Sequence, residues 1–347
     1  MAFHTSRLFA TYPKNMARSH FTLAALVVSA VPDFDPARVT PLTSGMDADF
    51  ESALVTDLNG REVIVRLPTS RSTEQALSNE VRALEILTVG VRSRLGFEVP
   101  TVCGRAPMGN TFGLVFDRPP GDAVHLGDVI AGTVVPAAIG RSMAAIHELP
   151  ANLVSDAGLS YVSATAAQQR ARDIVERAVG TNMLPAVLET RWSRAVVDAR
   201  IWQFDPTVIH GSLGIGNFLF GEDSVSAIQG WGSLHVGDPA VDLMWLTNAE
   251  PAATDEAFQA YHDVRLSSTD PNIRRRAVLY SELEIAKWLL HGVRERSAEI
   301  VEDATEMMNR LVSTIDDEPV NSVGVGTEPI MTVVEVEDML GEVAPSS

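Results

Sequence analysis

Residues 208–243 constrain the fold of this 347-residue chain more than any other stretch. The stretch contains His210-Gly211, an asparagine at Asn217, a tryptophan at Trp231 and the tripeptide Gly237-Asp238-Pro239. The last of these predicts a helix start, because aspartate is a good N-cap and proline suits the first helical position. Each short motif is common alone, but their order and spacing argue against a chance match.

The stretch resembles the catalytic core of the aminoglycoside and macrolide phosphotransferases, a protein-kinase-like family. The family pattern is His-Gly-Asp-x-x-x-x-Asn, a short hairpin, Ile-Asp-Trp, and Gly-Asp-Pro-x-x-Asp-Leu. The resemblance covers roughly residues 39–312. It implies an α+β, two-lobed protein-kinase-like fold, with a small antiparallel-sheet N-lobe and a helical C-lobe. It also implies ATP and Mg²⁺ as cofactors.

Two carboxylates of the family pattern are replaced in this chain. The position of the catalytic base holds Ser212, and the metal-binding position before Trp231 holds Gly230. Serine is neither an anion nor a base near neutral pH, and glycine has no side-chain oxygen. A hard divalent cation needs anionic oxygen ligands, and a general base typically contributes ~10²–10⁴ in rate. We therefore predict impaired phosphoryl transfer.

The other positions of the family pattern keep their residues. By the resemblance, His210 and Asn217 belong to the catalytic loop with Ser212, and Asn217 also assists at the metal. Structural roles fall to Trp231, Asp238 and Asp242, with Asp238 bracing the catalytic loop. Acids that could stand in for the missing ones are Glu222, Asp223, Asp238 and Asp242.

The region before this core predicts strands and a helix. Residues 50–57 and 61–67 are rich in β-formers, and Asn59-Gly60 between them is a hairpin signal. Ser72-Thr73-Glu74-Gln75 has the chemistry of a capping box and predicts the start of a helix. Residues 163–203 predict two helices, and we expect their arginines, Arg191 and Arg200 among them, to lie on a solvated face.

The resemblance also predicts a nucleotide site in the first lobe. Arg66 takes the place of the phosphate-anchoring cation and Glu80 that of the acid orienting it, while Asp117 lies in the hinge that would bind the adenine. Only two lysines are present, Lys14 and Lys287, so a cation here must be arginine. The alternative interpretation is that Arg66 is an exposed arginine at a strand end and that Glu80 is a surface glutamate. The candidate phosphate loop, residues 43–49, has one glycine and two aspartates, and carboxylates repel a triphosphate.

Composition narrows the class of protein. The formal net charge of −18 argues against nucleic-acid binding, which needs a clustered basic surface. The single cysteine, Cys103, excludes an intrachain disulfide and favours a reducing, cytoplasmic location. The apolar run 21–30 is too short to span a membrane. It is either a short secretory segment or a helix packed on the first lobe.

Four segments are predicted along the chain. They are an N-terminal extension and helix (1–38), a β-rich N-lobe (39–120), a helical C-lobe with the catalytic-loop motif (121–315) and an acidic tail (316–347). The last segment contains eight acids and no Lys or Arg, a composition typical of disorder.

Three hypotheses about function result. The first is a pseudokinase that binds a small molecule, a nucleotide or a protein partner without transferring phosphate. The second is an active ATP-dependent phosphotransferase that uses displaced acids and acts on an antibiotic, sugar or metabolite hydroxyl. The third is a non-enzymatic protein without a nucleotide pocket, whose acidic tail is an interaction arm.

Overall fold

The strand and turn signals around Asn59-Gly60 produce an antiparallel sheet. Strand Phe50–Asp57 pairs with Glu62–Pro68 across this turn, which confirms the predicted hairpin. Gly60 has a φ of +84°, a left-handed conformation that glycine adopts without steric cost. The full sheet has five strands, which lie in the order Pro36–Leu42, Phe50–Asp57, Glu62–Pro68, Thr111–Asp117 and Val102–Met108.

The computed structural model describes residues 20–42, 50–265 and 270–317. The strands are β1 (Pro36–Leu42), β2 (Phe50–Asp57), β3 (Glu62–Pro68), β4 (Val102–Met108), β5 (Thr111–Asp117), β6 (Asp122–Ala123), β7 (Thr207–Ile209), β8 (Phe218–Phe220), β9 (Val225–Ile228) and β10 (His235–Gly237). The helices are α1 (His20–Ala30), α2 (Arg71–Ile86), α3 (Val89–Arg92), α4 (Val134–His147), α5 (Ala151–Asp156), α6 (Ala164–Val179), α7 (Ala186–Val197), α8 (Ala240–Leu243), α9 (Pro251–Val264), α10 (Ile273–Glu295) and α11 (Ala298–Asp317).

Contacts divide the chain into two units. The first comprises residues up to 159 together with 210–235 and 249–266, and the second comprises 160–209, 236–248 and the residues from 267 onward. The sheet in the N-terminal part and the helices that dominate the C-terminal part confirm the predicted α+β class. Predictions for residues 1–15, for the loop 43–49 and for the tail beyond Asp317 lie outside the described residues, and the predicted segment boundaries stay predictions.

Helix α1 covers one face of the five-stranded sheet. Its side chains Leu23, Leu26 and Val27 are buried in a cluster with sheet residues such as Val55 and Val63. This packing agrees with the packed-helix interpretation of the apolar run. No described helix has the length and apolar character needed to cross a bilayer.

Helix α2 begins earlier than the sequence pattern predicts. Its N-cap is Ser70, whose side chain accepts a hydrogen bond from Thr73 N at 3.2 Å, while Thr73 Oγ1 accepts one from Ser70 N at 3.0 Å. The predicted cap at Ser72 is therefore wrong by two residues. The reason is that the threonine hydroxyl at the third helical position can accept the hydrogen bond from the N-cap N–H, as a glutamate side chain does in the usual capping box.

In the second unit, α6, α7, α10 and α11 enclose an apolar core that includes Trp192 and Leu283. Within it, Glu282 of α10 accepts hydrogen bonds from Arg191 Nη2 and Trp192 Nε1, each at 2.8 Å. The expectation that Arg191 lies on a solvated face is thus wrong, because a carboxylate on a neighbouring helix draws its guanidinium inward. Burial of a charged group requires such a partner.

Gly140 allows α4 and α9 to pack closely. A Cβ at this position would lie 2.1 Å from the backbone oxygen of Ala257. We expect Gly140→Ala to lower the free energy of unfolding by about 2 kcal/mol or more, because the helices must move apart. Gly127→Ala, where a Cβ meets nothing within 4 Å, is the control and should change it by less than about 0.5 kcal/mol. Equal effects in urea unfolding would contradict the close packing.

Candidate functional site

His210 begins the loop that follows β7. Its side chain is fully buried, its ring centroid lies 4.8 Å from that of Trp231, and its Nε2 lies 3.0 Å from the backbone oxygen of Gln229. The next residue, Gly211, has a φ of +85°, and a Cβ there would approach Ser233 O to 2.4 Å. This close approach explains why glycine follows the histidine. Ser212 then lies exposed on the surface of the loop.

Asn217 joins the loop to the hairpin that follows it. Its Oδ1 accepts a hydrogen bond from Gly214 N at 2.8 Å, and its Nδ2 donates to Gln229 O at 2.9 Å. The backbone of Gln229 also donates to Asn217 O at 3.0 Å. The asparagine is therefore buried and bound to the backbone on both sides. Its side chain stabilises the loop conformation.

Gly230 and Trp231 follow strand β9. Gly230 has φ +85° and ψ 42°, the left-handed region, and it contributes no side-chain oxygen. Trp231 is fully buried and donates from Nε1 to Ile228 O at 2.8 Å. A Cβ on Gly232 would lie 3.0 Å from Ala76 O of α2. The turn after Gly230 therefore packs directly on the helix that carries Glu80.

Arg66 and Glu80 form a buried ion pair. Arg66 Nη1 lies 3.4 Å from Glu80 Oε2, and only 6% of each side chain is exposed. The guanidinium also lies 5.5 Å from the ring centroid of Phe116, within the range of a cation–π contact. The strand cation and the helix acid are thus brought together, as the resemblance implies. The alternatives of an exposed arginine and a surface glutamate do not hold.

The space beside this ion pair is small. Residues Ile64, Arg66, Pro100, Phe116, Pro119 and Gln229 line a cavity of about 10 Å³. That volume suits about one water molecule, whereas small-molecule pockets typically span ~300–1,000 Å³. A wider and more polar cleft of about 340 Å³ is lined by Gly60, Glu62 and residues 118–122.

Asp117 does not belong to the group around Arg66. It ends β5, and its Oδ1 accepts a hydrogen bond from Arg61 Nη2 at 2.7 Å. This hydrogen bond is the main cause of a raised pKa of Arg61. The Asp117 carboxylate is therefore used to hold the start of β3 against the end of β5.

Asp238 and Asp242 lie in the second unit, and both are buried. Asp238 Oδ2 accepts from Arg276 Nε at 2.7 Å and from the Tyr280 hydroxyl at 2.9 Å, and its Oδ1 accepts from Ala240 N at 2.9 Å. Burial and then the Asp238 charge raise the pKa of Tyr280 well above its ordinary value, so the hydroxyl keeps its proton. The N-cap of α8 is Pro239, so the helix start predicted at Asp238 is wrong by one residue. Asp238 still binds the first backbone N–H of α8 and is the partner of a buried arginine.

Two features of the site were missed by sequence reasoning. One is the carbonyl of Gln229, which meets both His210 and Asn217, and backbone groups leave no trace in a pattern of side chains. The other is the pairing of Arg276 and Tyr280 with Asp238. A signal existed for this pair, since Arg276 and Tyr280 lie four residues apart on one face of a predicted helix.

The remaining acidic candidates are dispersed. Glu222 and Asp223 are exposed in the turn between β8 and β9. Among the residues that the structure describes, no group of three or more His, Cys, Asp or Glu side chains could hold a metal ion.

Removing the charge of Glu80 tests the buried ion pair. Glu80→Gln should lower the free energy of unfolding by about 3 kcal/mol, because Arg66 loses its countercharge in a buried position. Glu85→Gln, on an exposed position of the same helix, should change it by less than about 0.5 kcal/mol. Urea unfolding of both variants gives the comparison, and a loss of similar size in the two would refute a special role for Glu80.

The Asp238 network gives a second test. Asp238→Asn should cost about 3–5 kcal/mol, because the fully buried Arg276 keeps its charge while the partner loses its own. The exposed Asp173→Asn serves as the control and should be nearly neutral. If Asp238→Asn unfolds at the wild-type urea concentration, the network does not stabilise the fold.

Comparison with known proteins agrees with this geometry. The model of the phosphotransferase enzyme family matches residues 38–279. Macrolide 2'-phosphotransferase MphH from Brachybacterium faecium, as apoenzyme, is 20% identical with a TM-score of 0.69, over 84% of this chain and 98% of that one. Macrolide 2'-phosphotransferase type I is also 20% identical, with a TM-score of 0.67, over 83% of this chain and 96% of that one.

An aminoglycoside phosphotransferase has the same fold. The GDP complex of aminoglycoside 2'-phosphotransferase-IIIa is 17% identical with a TM-score of 0.68, over 86% of this chain and 99% of that one. A further structure of this type contains GDP and kanamycin. No curated protein sequence matches the chain. Because the family model spans well over half of its residues, the chain belongs to the phosphotransferase enzyme family.

Proposed function

We propose that this protein is a pseudokinase, a member of the phosphotransferase family that binds a ligand and does not transfer phosphate. The observation that carries the proposal is the metal-binding position before Trp231. It holds Gly230, in a left-handed conformation and without a side-chain oxygen. Since transfer depends on charge stabilisation by a metal held close to the phosphates, loss of this ligand removes a central part of the reaction.

The neighbouring donors do not fit a Mg²⁺ ion either. Mg²⁺ demands near-octahedral oxygen ligands and is usually bound by one or two carboxylates. Here Asn217 directs Oδ1 at Gly214 N, and Ser212 offers a neutral hydroxyl. Of the acids that could replace the lost ones, Glu222 and Asp223 are exposed, and Asp238 is paired with Arg276.

Two cavities lie near the positions that the resemblance assigns to a nucleotide. The cavity beside Arg66, the phosphate position, has a volume of about 10 Å³, and the cavity along residues 118–122, next to the hinge, has a volume of about 340 Å³. The family relatives whose structures contain GDP or kanamycin make a small molecule the reasonable class of ligand. We therefore infer a ligand that is bound without a metal and without transfer of a phosphoryl group.

The second hypothesis, an active phosphotransferase, rests on the intact Arg66–Glu80 ion pair. The resemblance implies that Arg66 anchors the phosphates and that Glu80 orients it. Thermal unfolding with ATP separates the two. A ligand at about 100 times its Kd adds ~2.7 kcal/mol to the stability of the folded state, which is easily measured as a higher midpoint. We expect the same midpoint with ATP and Mg²⁺ as with ATP and EDTA. A rise that needs Mg²⁺, or phosphate transfer at an ordinary enzymatic rate, would contradict the proposal.

Restoring both carboxylates provides a positive control. We expect the double variant Ser212→Asp/Gly230→Asp to gain a Mg²⁺-dependent midpoint shift with ATP, and ATP hydrolysis at least ~10²-fold above the wild type. The matched variant Ser212→Asn/Gly230→Asn has the same shape without the charges, and asparagine tolerates the left-handed conformation about as well as aspartate. Equal activity in the two double variants would show that these positions are not where catalysis was lost.

A further inference from the structure

A further cavity of about 380 Å³ lies between the first turn of α2 and the β4–β5 hairpin. Glu74 lines it from the helix, and the hairpin contributes Arg105, Pro107, Thr111 and Phe112. The volume falls in the ~300–1,000 Å³ range of small-molecule sites. None of these residues belongs to the catalytic-loop motif or to the buried ion pair between β3 and α2. The cavity is therefore separate from the candidate site described above.

The strand register places this cavity on the face of the sheet opposite to α1. Pro107 and Phe112 are cross-strand partners, and Arg105 lies two residues before Pro107 on β4, so the three side chains project to one face. Ala106, between them, projects to the other face, where it is buried in the cluster that contains the apolar side chains of α1. The α1 face is thus closed by apolar packing, and the cavity lies on the opposite face.

Arg105 is held in place but is not neutralised. Its guanidinium carbon lies over the ring of Phe112, 3.7 Å from the ring centroid, which is a close cation–π contact. The residue is exposed, and it has no ion pair or hydrogen bond in the part of the chain that the structure describes. A guanidinium positioned in this way keeps its N–H groups available for the two oxygens of a carboxylate.

Glu74 supplies the opposite charge. It is partly exposed in the first turn of α2, and its carboxylate has no partner within the described ranges. The positive end of the helix dipole favours an acid at this position. An ionised carboxylate only accepts hydrogen bonds, so it suits a donor such as an ammonium group. Arg105 and Glu74 line the same cavity and do not form an ion pair with each other.

A cavity with one positive group, one negative group and apolar side chains favours a ligand that carries both charges. We propose that it binds a zwitterionic α-amino acid with an apolar side chain. Arg105 binds the carboxylate of the ligand and Glu74 binds its ammonium group, while its side chain contacts Pro107 and Phe112. A purely anionic ligand is repelled by Glu74 and a purely cationic one by Arg105. The site does not depend on whether the protein transfers phosphate.

Thr111 offers the ligand a further polar contact. It lines the cavity, and its Oγ1 is buried without a hydrogen-bond partner among the residues that the structure describes. A buried hydroxyl without a partner is unfavourable. A ligand in the cavity can supply that partner.

Binding should also restrain helix α2. Glu74 precedes Glu80 by six residues, about 9 Å along the helix axis. A ligand bound to both Glu74 and Arg105 ties the first turn of this helix to β4. Hydrogen exchange of the α2 backbone amides should consequently slow when the ligand is bound.

The ligand class is tested with the full-length wild-type protein. In NMR titrations we expect L-phenylalanine and L-leucine to bind. The singly charged relatives N-acetyl-L-phenylalanine and L-phenylalanine amide should bind at least ~10-fold more weakly than L-phenylalanine, because each lacks one charge-assisted hydrogen bond. Failure of both amino acids to bind would overturn the proposal. So would equal affinity for L-phenylalanine and either singly charged relative.

Two single variants locate the site. Arg105→Gln and Glu74→Gln should each raise the Kd of the tighter-binding amino acid by about tenfold or more. The matched controls Arg94→Gln and Glu85→Gln neutralise exposed residues that do not line the cavity, and they should leave the Kd unchanged. A Kd that stays at the wild-type value in both cavity variants would mean that the amino acid binds elsewhere, which would overturn the proposal.

Discussion

The carbonyl oxygen of Gln229 holds the central loop of this protein together. It lies 3.0 Å from His210 Nε2 and accepts a hydrogen bond from Asn217 Nδ2 at 2.9 Å. A buried carbonyl must be satisfied, and here two side chains of the family motif do so. These contacts use neither of the two positions at which the family carries its reactive carboxylates. The loop can thus keep its conformation with Ser212 and Gly230 in those positions.

Three arginines in the protein interior are paired with carboxylates. Arg66 has Glu80, Arg191 has Glu282, and Arg276 has Asp238 and Asp270. Such pairs add little net stability compared with apolar residues, but losing one partner is costly. They persist for structural reasons whatever the protein does. An intact Arg66–Glu80 pair is for this reason weaker support for catalysis than the missing carboxylates are against it.

The sequence by itself determined the family, the fold class and the β2–β3 hairpin, because these depend on local spacing and turn chemistry. It also located Arg66, Glu80, Ser212 and Gly230, since each follows from its position in a motif. Apart from the Arg66–Glu80 pair, only the tertiary structure decided which polar groups meet. The Gln229 carbonyl, the burial of Arg191 and the small volume beside Arg66 depend on elements far apart in the chain. These contacts depend on how helices and strands pack against each other. A local pattern of residues does not determine that packing.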